Sequence, residues 1–365
     1  MVDFICPHFT KNPQTSCNGC QHWDIDYKTE VQLKKENLKS KLNSDIPIQV
    51  KTPSHFDVRV RFDFIVENNQ LGLYGIGRQF IPIKKCHVLN PQLQAAYEKL
   101  QILFAKSKIN IQKGSLRLRI SQDLNRWGLW IDFSNKDIKD LLMEKEFLSS
   151  LSDYYQIEIG QKRKRLDLNT VSKKDQLEQL KLSDPQPEYW FKSKQYPLLC
   201  SLSSFTQPSW ETADLLTDQI TEWCSNLKAK RIIEYGSGIG QFTKILTQYF
   251  DQINVFETDH LSLENLKQNL VENIHQIHIN NFDIFKNDMA DSISLVNPPR
   301  SGLKNFCAHL LESKTDFIIY ISCFPDTFIQ DYKALQKNYK LDRITLVDQF
   351  PRTTHYEICA LLKRI

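Results

Sequence analysis

From about residue 200 onward, short apolar runs alternate with helix-length stretches, and no other pattern in the chain restricts the fold as tightly. The runs are RIIEYG, INVFE, IHIN, ISLVN, FIIYIS, RITLV and YEICALL. Each is rich in β-branched or aromatic residues, as strands buried on both faces of a parallel sheet are. Seven such strands, the last two close together, predict an α/β, Rossmann-like, doubly wound sheet. In such a sheet the ligand crevice lies at the carboxyl ends of the strands. At one of these ends FIIYISCFPDT sets Cys323 just beyond an apolar run over 317–321. A thiol there is aimed at the crevice; the competing reading is a small buried hydrophobe.

The front of the chain has a different texture. YKTEVQLKKENLKSKL predicts an amphipathic helix with Val31, Leu33, Leu38 and Leu42 on its apolar side. HFDVRVRFDFIV and LGLYGIGRQFIPI read as strands, and a helix opens at Asn90 or Pro91. SLRLRI and RWGLWIDF form a strand pair, YYQIEIG another strand, and QKRKRLDLNTVSKKD a polar surface passage. At SDPQPEYWF the composition shifts, which divides the chain into a smaller α+β domain over 1–198 and the α/β domain over 199–365. A length of 365 residues accommodates two cores. Among the first 200 residues 31 Lys and Arg stand against 23 Asp and Glu, while the rest has 16 against 20. A basic front on a mildly acidic back suits a module that docks a polyanion, joined to a catalytic one; a lysine-rich solvated surface gives the same counts. No apolar run approaches the roughly 20 residues of a membrane span, and MVDFICPHFT lacks the marks of an export signal. The expectation is a cytoplasmic monomer without a membrane partner.

Nine cysteines without an export signal point to thiols, metal ligands or catalysis rather than disulfides. Four stand at the front: Cys6, Cys17, Cys20 and Cys86. The SCNGC pair is spaced to place two thiolates on one metal or one cluster face. A structural zinc, a four-cysteine iron–sulfur cluster and no metal all remain open on spacing.

IIEYGSGIGQF sets Gly236, Gly238 and Gly240 between a strand and a helix, where a backbone can turn sharply beside a nucleotide. The next strand ends in INVFETD, placing Glu257 to accept hydrogen bonds from a ribose. No phosphate-binding lysine accompanies the glycines, so adenosine without phosphates fits best and points to S-adenosylmethionine, with a dinucleotide as the alternative. LVNPPRSG follows the fourth strand, and its prolines stiffen a loop that offers Asn297 to the ligand. Asn-Pro-Pro also occurs in amino-group methyltransferases of nucleic acids, usually followed by an aromatic residue. Here Arg300 fills that place, and an arginine suits a phosphate better than stacking on a base.

A thiol changes the balance, because amino methylation needs none. Carbon 5 of uracil becomes nucleophilic only once a thiolate has added to carbon 6, and a base must afterwards remove the carbon 5 proton. Cys323 is the candidate nucleophile. DQFPRTTHYEICALL supplies Glu357 at the start of an apolar strand, where burial raises a carboxyl pKa. His355, two residues earlier, is the alternative base.

NPPRSG, YISCFPDT and FPRTTHYE, in this order and spacing, closely resemble the RNA uracil-C5 methyltransferase family, and SFTQPSWETADLL resembles the loop before that family's catalytic fold. The resemblance implies a class I methyltransferase domain, cofactor contacts at Gln207, Tyr235, Glu257 and Asn297, the nucleophile at Cys323 and the base at Glu357. Members acting on large-subunit ribosomal RNA carry a four-iron (4Fe-4S) cluster on cysteines arranged like Cys6, Cys17, Cys20 and Cys86. The implied partner is therefore RNA, with ribosomal RNA favoured over tRNA; an inactive iron–sulfur RNA-binding protein is the rival from another class. Departures from the family pattern are Glu234 with GSG in the glycine loop, Phe324 after the cysteine, and a long interval between Cys6 and Cys17. The basic residues Arg117, Arg119, Lys162, Arg163, Lys164 and Arg165 are expected to meet RNA phosphates.

Overall fold

A computed structural model describes residues 5–10, 12, 15–54, 56–75, 77–161, 164–170, 180–279 and 290–365. The chain forms two compact units, each assembled from two stretches: Met1–Asp24 with His55–Trp210, and Ile25–Ser54 with Glu211–Ile365. This division differs from a single cut near residue 198, and side chains account for both differences.

The first difference lies at 200–210. Arg119, on the strand Lys113–Ile120, points inward and is 1% exposed. Its guanidinium donates from Nε to the Leu202 carbonyl at 2.9 Å, from Nη1 to Thr206 Oγ1 at 2.9 Å, and also to the Ser204 carbonyl. Arg117 donates to the Ser203 carbonyl at 2.8 Å and pairs with Asp63. These arginines therefore staple the segment after Cys200 onto the first unit. The expectation that Arg119 presents its charge to RNA is corrected, since its guanidinium is buried and turned to three internal acceptors. Of the other expected phosphate contacts, Lys162 and Arg163 and the side chains of Lys164 and Arg165 lie outside the described residues.

The second difference lies at 25–54. Helix Tyr27–Leu42 starts on Asp26, whose side chain accepts from the Thr29 amide at 3.0 Å. Its inward stripe is Glu30, Lys34 and Leu38, spaced four apart on one face. Leu33, expected on the apolar side, is exposed. Lys34 Nζ instead reaches Glu30 at 2.7 Å and Asp348 at 2.8 Å, and Tyr27 donates its hydroxyl to Asp348 at 2.7 Å. Pairing and hydrogen bonds make these buried charges tolerable. Ile48–Lys51 then pairs in parallel with Tyr339–Val347.

That pairing gives the sheet of the second unit eight strands rather than the expected seven. Their spatial order is Ile48–Lys51, Tyr339–Val347, Glu357–Arg364, Phe317–Ser322, Ser292–Val296, Arg231–Tyr235, Ile253–Phe256 and Ile277–Ile279. Only Glu357–Arg364 runs antiparallel to its neighbours. The chain winds outward from Arg231–Tyr235, then returns to Ser292–Val296 on that strand's other side. Such a reversal opens a crevice at the strand ends. The strand Phe317–Ser322 supplies the apolar centre: Ile318, Ile319, Tyr320 and Ile321 are fully buried.

The first unit holds a second eight-stranded sheet, antiparallel except where Trp127–Phe133 meets Tyr155–Gln161. Helix Pro91–Lys106 packs on it, with Asn90 accepting from the Gln92 amide at 2.9 Å. The passage read as polar surface contributes the strand Lys164–Thr170.

Candidate functional site

The antiparallel register between Phe317–Ser322 and Glu357–Arg364 pairs Ser322 with Ile358. One residue beyond that last pair stand Cys323 and Glu357, at the crevice end of the ladder, where the charge of one acts on the other. Cys323 is half-buried. Burial pushes its thiol pKa up, and the neighbouring Glu357 carboxylate raises it further. Arg300, hydrogen-bonded to the thiol, pulls in the opposite direction. Glu357 is 4% exposed and accepts from Gln349 Nε2 on Oε1 at 2.8 Å. Its Oε2 is buried without a partner among the described residues. Burial raises its pKa to about 8, against the charge of Arg300 and the Gln349 hydrogen bond.

This arrangement holds two groups whose deprotonated forms are both negative, with one guanidinium beside them. Thiol and carboxyl then compete for ionisation, and the arginine decides how much charge the pair carries. His355 is exposed and lies before the strand, so alternation does not put it beside Glu357. Gln349 carried no signal of its own: glutamine in a loop reads as surface, and only the fold brings it onto Glu357.

Two strands along, Gly236, Gly238 and Gly240 have φ of 76°, 56° and 86°, which side chains rarely adopt. A Cβ on Gly238 would meet nothing within 4 Å, so the loop leaves open space on that side. Glu257 accepts the Gly238 amide at 2.8 Å and the Thr258 and Asp259 amides at 2.7 and 2.8 Å. Asn297 donates its amide to the Tyr235 carbonyl at 3.3 Å, so the Asn-Pro-Pro loop starts at the strand end beside the glycines. The Tyr235 ring points away, stacked 4.9 Å from Phe256 in the core, and what it offers the crevice is backbone. Gln207 belongs to the first unit, where it is 3% exposed with Oε1 buried and without a partner among the described residues. The second unit thus gathers Tyr235, Glu257, Asn297, Cys323 and Glu357 along the carboxyl ends of one sheet.

In the first unit Cys6, Cys17, Cys20 and Cys86 line one cavity, together with Trp23 and His87 among others. All four are free thiols. Burial raises the Cys20 and Cys86 pKa values to about 11 and about 12, and nearby cysteine charge adds to both. The Cys17 sulfur accepts the Gly19 amide at 3.3 Å. Among the described residues no group of three or more His, Cys, Asp or Glu is arranged to hold a metal ion, so the four sulfurs are a cavity lining rather than a formed ligand sphere. No described helix is long and apolar enough to cross a membrane.

Against known proteins, the model of the tRNA (uracil-5-)-methyltransferase family matches residues 26–365. The chain belongs to that family. An uncharacterized RNA methyltransferase of Bdellovibrio bacteriovorus is 35% identical over 95% of this chain and 93% of its own length. The 23S rRNA (uracil(1939)-C(5))-methyltransferase of Shewanella denitrificans is 24% identical over 99% of this chain and 83% of its own. The crystal structure of the Pyrococcus abyssi tRNA (uracil-54, C5)-methyltransferase with S-adenosyl-L-homocysteine superposes with a TM-score of 0.70. It covers 94% of this chain and 85% of its own at 20% identity, which shows the shared fold. As a member of the family the chain is an S-adenosylmethionine-dependent RNA uracil-C5 methyltransferase.

Proposed function

We propose that the chain methylates carbon 5 of a uridine in 23S ribosomal RNA through a covalent bond between Cys323 and the base. The observation that carries this reading is the Cys323–Glu357 pair at the crevice end of one antiparallel ladder, with Arg300 beside both. The Cys323 thiolate adds to carbon 6 of uracil, and the electron pair of the 5,6 double bond moves to carbon 5 as an enolate. S-adenosylmethionine, when bound, supplies the methyl cation equivalent that carbon 5 takes. Glu357, ionised, then removes the carbon 5 proton; its electrons re-form the double bond and expel the Cys323 thiolate. A carboxylate held near a pKa of 8 is a stronger base than an ordinary one, and Gln349 occupies Oε1, leaving Oε2 to take the proton. The donor fits the open space at Gly238, with Glu257 and Asn297 to hold it in this unit.

Cys6, Cys17, Cys20 and Cys86 would hold a four-iron cluster: four free thiols around a cavity fit a cluster core, which needs its sulfurs farther apart than a single ion does. Such a cluster supplies a covalent brace for the first unit. The cysteine set favours ribosomal RNA; the fold shared with a tRNA enzyme supports tRNA as the second reading. Base-resolved mapping of 5-methyluridine in ribosomal and transfer RNA, with and without the gene, decides between them. Loss of one 23S site is expected; loss confined to tRNA selects the second reading. Unchanged 5-methyluridine, or full activity of Cys323→Ala, overturns the proposal.

A further inference from the structure

The loop that carries Arg300 is held at both ends. At its start the Asn297 amide meets the Tyr235 carbonyl. At its crown the Gly302 amide donates to the Pro299 carbonyl at 2.9 Å, closing a turn with Arg300 and Ser301 at its tip. At its end the Leu303 amide donates to Asp331 Oδ2 at 2.7 Å. Asp331 lies on helix Pro325–Leu335, which begins two residues after Cys323. The same oxygen accepts the Tyr320 hydroxyl at 2.6 Å, from the strand that ends at the nucleophile. The other oxygen faces Cys307 Sγ at 3.6 Å. Asp331 is 7% exposed, and these contacts hold its carboxyl group in place. Gly302 presses directly on it: with φ of +73°, a Cβ there would sit 2.6 Å from Asp331 Oδ2 and 3.2 Å from Thr327 Cβ.

We infer that Asp331 is a positioning residue, a buried clamp that sets the Arg300 turn against Cys323. It touches neither reacting atom. It joins three pieces of chain at one carboxylate: the strand before the nucleophile, the helix after it and the loop bearing the guanidinium. The clamp rests on the reading of Cys323 as nucleophile. The charged groups acting on the thiol are Glu357 and Arg300; the Tyr320 hydroxyl is turned to Asp331. Releasing the turn withdraws the one cation and leaves the thiolate beside a carboxylate.

The test measures iodoacetamide alkylation of Cys323 against pH, followed peptide by peptide in the full-length protein, beside steady-state methylation. In Asp331→Ala the alkylation midpoint should rise by about one pH unit. The kcat should fall roughly 100-fold, as for a displaced catalytic group, while KM for S-adenosylmethionine holds. Asp331→Asn keeps an oxygen acceptor for Leu303 and should sit close to wild type. Tyr320→Phe, which deletes one hydroxyl, should move the midpoint the same way by less, and serves if the alanine variant does not fold. In an Arg300→Ala background neither substitution should move the midpoint further, because the path runs through the guanidinium. An unmoved midpoint in folded variants, or the same shift with and without Arg300, overturns the clamp. Methylation by Cys323→Ala would instead overturn the nucleophile, and the two failures separate because alkylation is read without turnover.

Discussion

Glu357→Gln should change the pH dependence of stability in a direction opposite to that of a salt-bridged acid. Glu357 is buried, and its pKa rises from 4.5 to about 8 on folding. A shift of this size corresponds to about 5 kcal/mol at about 1.4 kcal/mol per unit. The folded state binds the proton more tightly than the unfolded state does. The protein therefore has this contribution in full below the unfolded pKa, loses it as pH climbs, and has lost it above the folded value. Glutamine does not titrate. Its unpaired amide next to the same pocket adds an offset that is constant with pH. Between about pH 5 and pH 9 the variant should gain roughly 4 kcal/mol on wild type. Glu234, raised to about 8 as well, is present in both proteins and cancels in the difference. Urea unfolding followed by far-ultraviolet circular dichroism at a series of pH values gives the two curves. If they run parallel to within about 1 kcal/mol, the carboxyl is not held neutral by burial and the reasoning fails.

The remaining expectations are more direct. Glu357→Gln should accumulate a denaturation-resistant RNA adduct that requires both Cys323 and S-adenosylmethionine, seen as a shifted band on a denaturing gel; its absence under turnover conditions would remove Glu357 as the base. Wild-type methylation should increase as pH rises through about 8, since both Cys323 and Glu357 act in their deprotonated forms, and initial rates across that range read it. Lys34→Met leaves Asp348 without the lysine and Glu30 with only the longer Arg352 pair at 4.0 Å, and should cost about 3–5 kcal/mol in a denaturant titration. Anaerobically purified protein should be brown with about four irons per chain, and Cys20→Ser should lower iron and RNA affinity before S-adenosylmethionine affinity.

The second unit was largely legible because its information is local: apolar runs of strand length, a glycine turn and a thiol at a strand end each declare themselves within ten residues. The runs did not say which strands would be neighbours: Cys323 and Glu357 come near each other only because Glu357–Arg364 lies antiparallel beside Phe317–Ser322. What escaped was carried by side chains that look solvent-bound in sequence. Arg117 and Arg119 read as a basic face and turn out to be internal staples, because an arginine reveals its acceptors only once a distant backbone is folded against it. Helix Tyr27–Leu42 was found, but its inward stripe was misplaced, since Glu30 and Lys34 are inward-facing only when Asp348 is there to meet them. Gln349, inside the DQFPRTTHYEICALL stretch, and Asp331, beyond the FIIYISCFPDT stretch, carried no role for the same reason.

The strand Ile48–Lys51 also fixes a schedule for biosynthesis. Gln49 and Thr345, hydrogen-bonded across the outer pair, are 296 positions apart. On a ribosome the early strand is made, and must wait while everything between it and its partner is synthesised. The catalytic sheet cannot close its outer edge until Tyr339–Val347 has left the exit tunnel. During that interval the intervening first unit can fold as a loop between the two halves of its neighbour. A released fragment beginning near residue 199 would never receive the missing strand. Its sheet would end in an open ladder of unpaired amides and carbonyls, the geometry through which chains stick to one another. The strand Ile48–Lys51 is therefore a built-in guard against such sticking, delivered in advance of the edge it covers.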